Sequence, residues 1–316
     1  MNVAISFALI AGTVWVALHR QDVVDWWRLR SYQPSAAVLR LANDDGLVGK
    51  GRQLFYASDP AIDDKATFNT SCPNSDEQSL VLGCYKAQRI YIYDVQDARL
   101  HGVREVTAAH EMLHAVYDRL GADDKKHVND LVAAQLKTVT DDRILKLIDL
   151  YNQQEPGELY NEMHSILGTE YANLSPELET YYKQYFSDRK KVVNYAQEYE
   201  AIFAASKVHI AQYDQKLGQL KAGVEANNTA LEQKQRDLQT ALAQLNQLRA
   251  ANNIETYNQA VPAYNDSVHE FNDLVATNKS LINQYNDLVA QRNQEVTAQN
   301  GLYQSLDSRY QTMSQH

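Results

Sequence analysis

Cysteine is almost absent from this chain of 316 residues, which carries only Cys72 and Cys84. A metal site built from thiolates is thereby excluded, and the pair leaves a single disulfide or two free thiols. A bridge between them closes a loop of about a dozen residues (84 − 72 = 12), worth about 3 kcal/mol in the loop-entropy picture. Positive charge is also short: 30 Lys and Arg face 40 Asp and Glu, a net charge of -10. That balance argues against nucleic acid as a partner, because binding phosphate needs a basic surface. Phenylalanine is scarce at 6 residues while tyrosine reaches 20, as suits half-exposed aromatic surfaces such as a long helical seam. Glycine and proline become rare beyond about residue 190. The length suffices for one sizeable core and a second region.

One apolar run stands out, residues 3–18, without a charged side chain. A helix of that length falls slightly short of the hydrocarbon core of a bilayer, about 30 Å. No basic segment precedes it and no small-residue cleavage pattern follows, so residues 1–20 read as a retained transmembrane anchor. Trp15, Trp26 and Trp27 are all the tryptophans of the chain and cluster here, as an interfacial belt does. Arg20, Arg28 and Arg30 favour keeping the bulk of the chain inside, whereas a disulfide persists on the oxidising side. The expectation is a single-pass membrane protein with its main domain extracytoplasmic, joined by a linker and short helix over residues 21–50.

The most informative stretch is His110-Glu111-Met112-Leu113-His114. Two histidines four apart lie on one helical face, so both imidazoles can reach one zinc ion, and the intervening glutamate can act as general base on a metal-bound water. Upstream, Arg89 to Asp94 alternates and is β-rich, which reads as a strand. Val103, Val106, Leu113, Val116, Tyr117 and Leu120 then recur at helical spacing, with Gly121 as the stop. Gln53–Ala57 and Leu80–Tyr85 read as further strands, giving a small sheet over about 52–94. Pro34 opens a short helix carrying Val38 and Leu41. Helices are expected over about 123–137 and 141–151, then over Glu158–Leu167 up to Gly168. Ser175-Pro176-Glu177 marks another helical start.

A catalytic zinc usually has three protein ligands and one open position. The third must come from farther along, and Glu158 and Glu162, four apart on one face, are the candidates. One can bind metal while the other steadies a ligand histidine from behind. His164 lies on a different face.

With His110-Glu111-x-x-His114-Ala115, then Tyr151, then Glu158-x-x-x-Glu162, the chain resembles the gluzincin zinc peptidases. The layout is most similar to the lethal factor family, over roughly residues 88–170. The interval from His114 to Glu158 (158 − 114 = 44) is similar to that family's. The resemblance implies an α+β zincin-like catalytic domain, with His110, His114 and Glu158 as zinc ligands. It also implies Glu111 as base and Tyr151 as the group that steadies the oxyanion. Asn161-Glu162 resembles instead the ligand dipeptide of the thermolysin-like branch, which makes Glu162 the alternative third ligand. Against that, position 166 is isoleucine, where an acid is expected four residues after a ligand.

From residue 190 the pattern becomes heptad. Phe203, Ile210, Leu217, Val224, Leu231, Leu238 and Leu245 recur every seven residues, with Tyr199, Tyr213, Leu220 and Leu248 on the companion seam. After Asn253 a second register places Tyr257, Tyr264, Phe271 and Tyr285 on one seam, and Val261, Val268, Val275, Ile282, Val289 and Val296 on the other. Sustained heptads mean coiled coil. Pro262 disfavours one unbroken rod, so residues 190–316 read as a long all-α hairpin turning near 250–262. A parallel oligomeric coil is the alternative, and either form offers a surface for a protein partner or for self-association.

The sequence thus predicts a zinc metallopeptidase domain over residues 51–189, acting on a peptide or protein substrate. Two rival readings are an envelope scaffold with an inactive zincin domain and a zinc amidase acting on cell-wall peptides.

Overall fold

The computed structural model describes residues 20–73 and 81–309. Its first helix, α1 (Arg20–Ser31), is tied down by polar contacts. Asp25, almost buried, takes both arms of the Arg119 guanidinium at 2.7 and 3.0 Å. Arg119 also donates to the Tyr85 hydroxyl at 2.8 Å. Trp26 and Trp27 stand on the outer side, 57% and 67% exposed.

The single-pass localisation expected from the sequence is corrected here. Among the described residues no helix is long and apolar enough to cross a membrane. The run 3–18 and Trp15 lie outside the described residues.

Helix α2 (Ala36–Asp44) starts where Ser35 caps it, its hydroxyl accepting from the Val38 amide. Helix α3 (Gly49–Ala57) occupies the stretch read as a strand at 53–57. The reason is packing. Gly51 lies against the backbone of Tyr185, where a Cβ would approach the Tyr185 carbonyl oxygen to 2.4 Å, and Phe55 is fully buried. A helical turn delivers both to the core, and tertiary context overrides the strand preference of Phe55 and Tyr56.

Strand β1 (Ala61–Asp63), helix α4 (Lys65–Ser71), strand β2 (Gly83–Lys86) and strand β3 (Arg89–Tyr93) follow. The three strands form one sheet in the order β1-β3-β2, with β1 parallel and β2 antiparallel to β3. Ala87 and Gln88, with φ of 50° and 62°, make the two-residue left-handed loop that suits strand twist. The Cys72–Cys84 disulfide is formed and ties the end of α4 to β2. It packs with Phe68, Val81, Tyr91 and Tyr93 in a small cluster of its own.

The core gathers around α5 (Val103–Asp118), which buries Val106, Ala108, Ala109, Met112, Leu113, Ala115 and Val116. Helices α6 (Ala122–Leu136), α7 (Asp142–Gln154) and α8 (Leu159–Thr169) surround it, and α9 (Pro176–Tyr182) begins at the Ser175 cap. Gly168 does not end α8. It sits inside the helix, where a Cβ would come 2.3 Å from Leu113 Cδ1 and 2.9 Å from the Tyr182 ring.

Helices α10 (Lys190–Ala250) and α11 (Ile254–Leu306) complete the chain. The described residues up to Ile202 and from Gly301 onward form one compact unit, and Phe203–Asn300 form a second. Within the second unit the two helices make a hairpin, with Asn252 in the left-handed conformation at φ 53°. Pro262, expected near the turn, lies inside α11 instead. Its ring is on the exposed side of the helix, where a missing N–H is tolerated best.

The fold is thus mostly helical, with a small three-stranded sheet and a long C-terminal helical hairpin. The fit of Gly168 between α5 and α9 generates the first expected outcome. Gly168→Ala should lower stability by about 1–3 kcal/mol through overpacking. Urea unfolding followed by circular dichroism checks it, as a lower midpoint at an unchanged slope.

Candidate metal centre

Helix α5 presents His110 and His114 from successive turns on one face. Their Nε2 atoms are 3.0 Å apart. Glu162, one turn into α8, faces both: Oε1 is 3.4 Å from His110 Nε2 and Oε2 is 3.5 Å from His114 Nε2. Ligand atoms of these three residues all lie within 4.8 Å of one another, a group that could hold a metal ion.

Glu158, ranked first as third ligand from the sequence, is outside this group. It is the residue before the first turn of α8 and is exposed. Its carboxylate accepts from Asn161 Nδ2 at 3.0 Å, and Asn161 Oδ1 is 3.0 Å from His114 Nδ1. A carboxylate only accepts, so Glu158 fixes which way the amide points. The amide oxygen then requires the hydrogen of His114 on Nδ1, leaving the Nε2 lone pair aimed at Glu162 and His110. The two glutamates divide the work, with Glu162 in the cluster and Glu158 acting through Asn161 on the histidine.

His110 is held from behind by a second chain of charges. Its Nδ1 lies 3.9 Å from Glu170 Oε1. Glu170 Oε2 pairs with Arg143 at 2.7 Å, and Arg143 reaches Glu200 on α10 at 3.0 Å. Arg143 and Glu200 have no counterpart in the sequence reading, and Glu170 falls in a segment, 164–170, that reads there as a site wall with no assigned role. A signal was present: Glu162 and Ile166 share one face of α8 and Glu170 follows at its C-terminal cap, so the acid missing at position 166 arrives one turn later.

Glu111, on the turn between the histidines, is 2% exposed and packs against Gly83 of β2. A Cβ at position 83 would stand 2.7 Å from Glu111 Cγ and Oε1. Only glycine leaves this carboxylate its place beside the edge strand. Tyr151, 6% exposed, hydrogen-bonds to Glu162. A cleft of about 300 Å³ opens over these groups, lined by His110, Glu111, Tyr151 and Glu162 and by the apolar Leu82, Val106, Leu147 and Ile166. His164 is elsewhere, fully buried with Nε2 3.0 Å from the Tyr181 hydroxyl.

The electrostatics are those of a neutralised cluster. Burial opposes charge on His110, but Glu162, Glu111 and Glu170 outweigh it and lift its pKa well above the ordinary imidazole value. Burial opposes charge on Glu162 too, and there His110, with help from His114 and the Tyr151 hydrogen bond, holds the carboxyl well below its usual range. His114 moves the other way, pushed down by burial and by the neighbouring His110 charge. Without metal, one proton on His110 balances one carboxylate on Glu162, and His114 stays neutral with a lone pair to give.

No protein-family model, curated protein or solved structure matches the chain. The chemistry of the site therefore rests on its own donors.

Isothermal titration with a divalent transition metal separates the two glutamates. Glu162→Ala should abolish measurable binding. Glu158→Ala and Asn161→Ala should weaken it by about 10–100-fold, the usual cost of losing a group that orients a ligand. Equal loss at 158 and 162 would contradict the division of roles.

Proposed function

We propose that the chain is a zinc-dependent peptidase of zincin type, with His110, His114 and Glu162 as ligands, Glu111 as general base and Tyr151 as the group that steadies the oxyanion. The observation that carries this reading is the donor set: two imidazoles and a carboxylate converging in a cleft, with a further carboxylate on the same helical turn. Two nitrogens and one oxygen suit zinc, and three protein ligands leave a position for water or substrate. The acceptors behind the two histidines, the Asn161 amide oxygen and the Glu170 carboxylate, are what a metal-ligating imidazole usually carries.

When bound, zinc supplies an acidified water and polarises the scissile carbonyl. The protein's own groups do the rest. Glu111, beside the edge strand at Gly83, accepts the water proton and delivers it to the departing amine. Burial in a cleft with apolar walls strengthens each of these electrostatic contacts. Tyr151, whose phenol reaches Glu162, offers a hydroxyl to the negative oxygen that develops during attack. Asn161 and Glu170 keep the two imidazoles in register throughout.

The purified chain should contain one equivalent of zinc, and Glu111→Gln should keep that zinc while cleavage of a peptide library falls by about 10²–10⁴-fold. Absence of metal, or persistent cleavage by the variant, would defeat the assignment and favour a scaffold with an inactive site.

Metal uptake should also depend on pH with a definite sign. The proton on His110 must leave before zinc binds, and its pKa is raised in the metal-free fold. Affinity should therefore climb by up to about tenfold per pH unit from pH 6 to pH 8, with about one proton released. Calorimetry in buffers of different ionisation enthalpy measures that release.

A further inference from the structure

Helix α11 repeats a seven-residue unit, clearest in Tyr264-Asn265-Asp266-Ser267-Val268 and again in Tyr285-Asn286-Asp287-Leu288-Val289. The first and fourth places of the unit face α10. Leu281 lies where a Cβ on Gly223 would touch it at 3.5 Å. Asn278 donates to Asn228 at 2.7 Å, and Leu281 and Leu288 share a groove with Leu220. The seam is therefore formed by the tyrosine column and by Ala260, Ser267, Leu274, Leu281 and Leu288. The valine column, read from the sequence as the second seam, falls one residue later, on the flank of that seam.

That column is Val261, Val268, Val275, Ile282, Val289 and Val296, with Val275 and Ile282 at its centre 43% and 41% exposed and the other four half-buried. Two apolar places in seven suffice for a two-stranded seam, while three in seven is the pattern of a helix with more than one neighbour. Beside the valines runs a second exposed column, Asn265, Asn272, Lys279, Asn286, Asn293 and Asn300. The ion pairs Asp214–Arg292 and Lys234–Glu270 both join α11 to α10. On the valine and asparagine face, Lys279 alone carries charge.

We propose that this face is the contact between two copies of the chain, packing α11 against α11 in a four-helix assembly of two hairpins. The choice of occupant follows from the chemistry of the face. An interface between identical copies must be complementary to itself. Valine meets valine without penalty, and an asparagine amide carries both donors and acceptors, so it pairs with its own kind. A nearly uncharged strip repels no copy of itself and offers nothing for an oppositely charged partner to read. Asparagines beside an apolar column also fix register.

The size is adequate but small. The strip is about 50 Å long and about 10 Å wide, so two copies bury about 1,000 Å² in total, at the lower limit for a specific contact. A dissociation constant in the micromolar range is expected, and this inference does not depend on the metal site.

Sedimentation of the full chain from about 1 to about 200 μM should show a monomer–dimer equilibrium. Val275→Glu with Ile282→Glu should raise the dissociation constant at least about 100-fold by burying like charges. Ser280→Glu, on the exposed side of α11 away from both the strip and α10, should leave it unchanged. Helicity by circular dichroism reports whether the glutamate variant still folds. Should it not, a second variant decides. Val275→Cys with Ile282→Cys lies near the middle of the strip, where cysteines of two copies meet in either helix direction. The native pair is already bonded, so oxidation should yield a covalent dimer. A chain monomeric across this range, a dimer indifferent to the glutamates, or a cysteine variant that stays monomeric on oxidation would overturn the proposal.

Discussion

The closeness of α5 and α8 is the constraint on which the site depends. Two imidazoles and a carboxylate converge because the helices carrying them pack closely, with Leu113 of α5 seated against Gly168 of α8. Such packing takes three ionisable groups largely out of water, which costs heavily unless the charges cancel. Between Glu162 and His110 they do cancel, while His114 remains neutral. The same mutual support pre-forms a ligand set, because the proton on His110 occupies the electrostatic place that a cation would take.

The histidine pair was legible because its spacing is a property of one helix: i and i+4 share a face whatever packs on them. The third carboxylate was not, because it depends on where a different helix begins. With the chain turning through Gly157, α8 starts at Leu159, so Glu158 stays at the solvent-facing entry and Glu162 falls on the inner face. A shift of one turn in that start would have exchanged their roles. Gly168 misled for a related reason, since a helix-ending glycine and one that admits a neighbouring side chain look identical in sequence. The strand read at 53–57 failed because Gly51 must pass the backbone of Tyr185, which local propensity does not encode. The sheet strand Arg89–Tyr93, the helices from Ala122 to Gln154 and the Ser175 cap were readable, since alternation, 3.6-residue periodicity and capping chemistry are all local.

In the hairpin the period was legible and the phase was not. Tyrosine, leucine and valine columns all repeat every seven residues along α11, and any two of them satisfy a heptad reading. Only the contacts made by Leu281 and Asn278 identify the pair that faces α10. A third apolar column repeats with the same seven-residue period, so periodicity alone does not separate it from the seam.

The root of the hairpin also belongs to the site. Tyr199 and Glu200 lie in the part of α10 that falls within the first unit, and Tyr199 lines the cleft over His110. Arg143 lies between Glu170 and Glu200, and the two carboxylates together outweigh the cost of burying its guanidinium, so its pKa is raised. Without Glu200, Glu170 becomes the sole partner of Arg143 and the geometry behind His110 loses one of its two supports. The first turns of α10 are thus part of the unit that surrounds the histidine cluster, and a chain cut where the heptads begin loses Tyr199 and Glu200 from it.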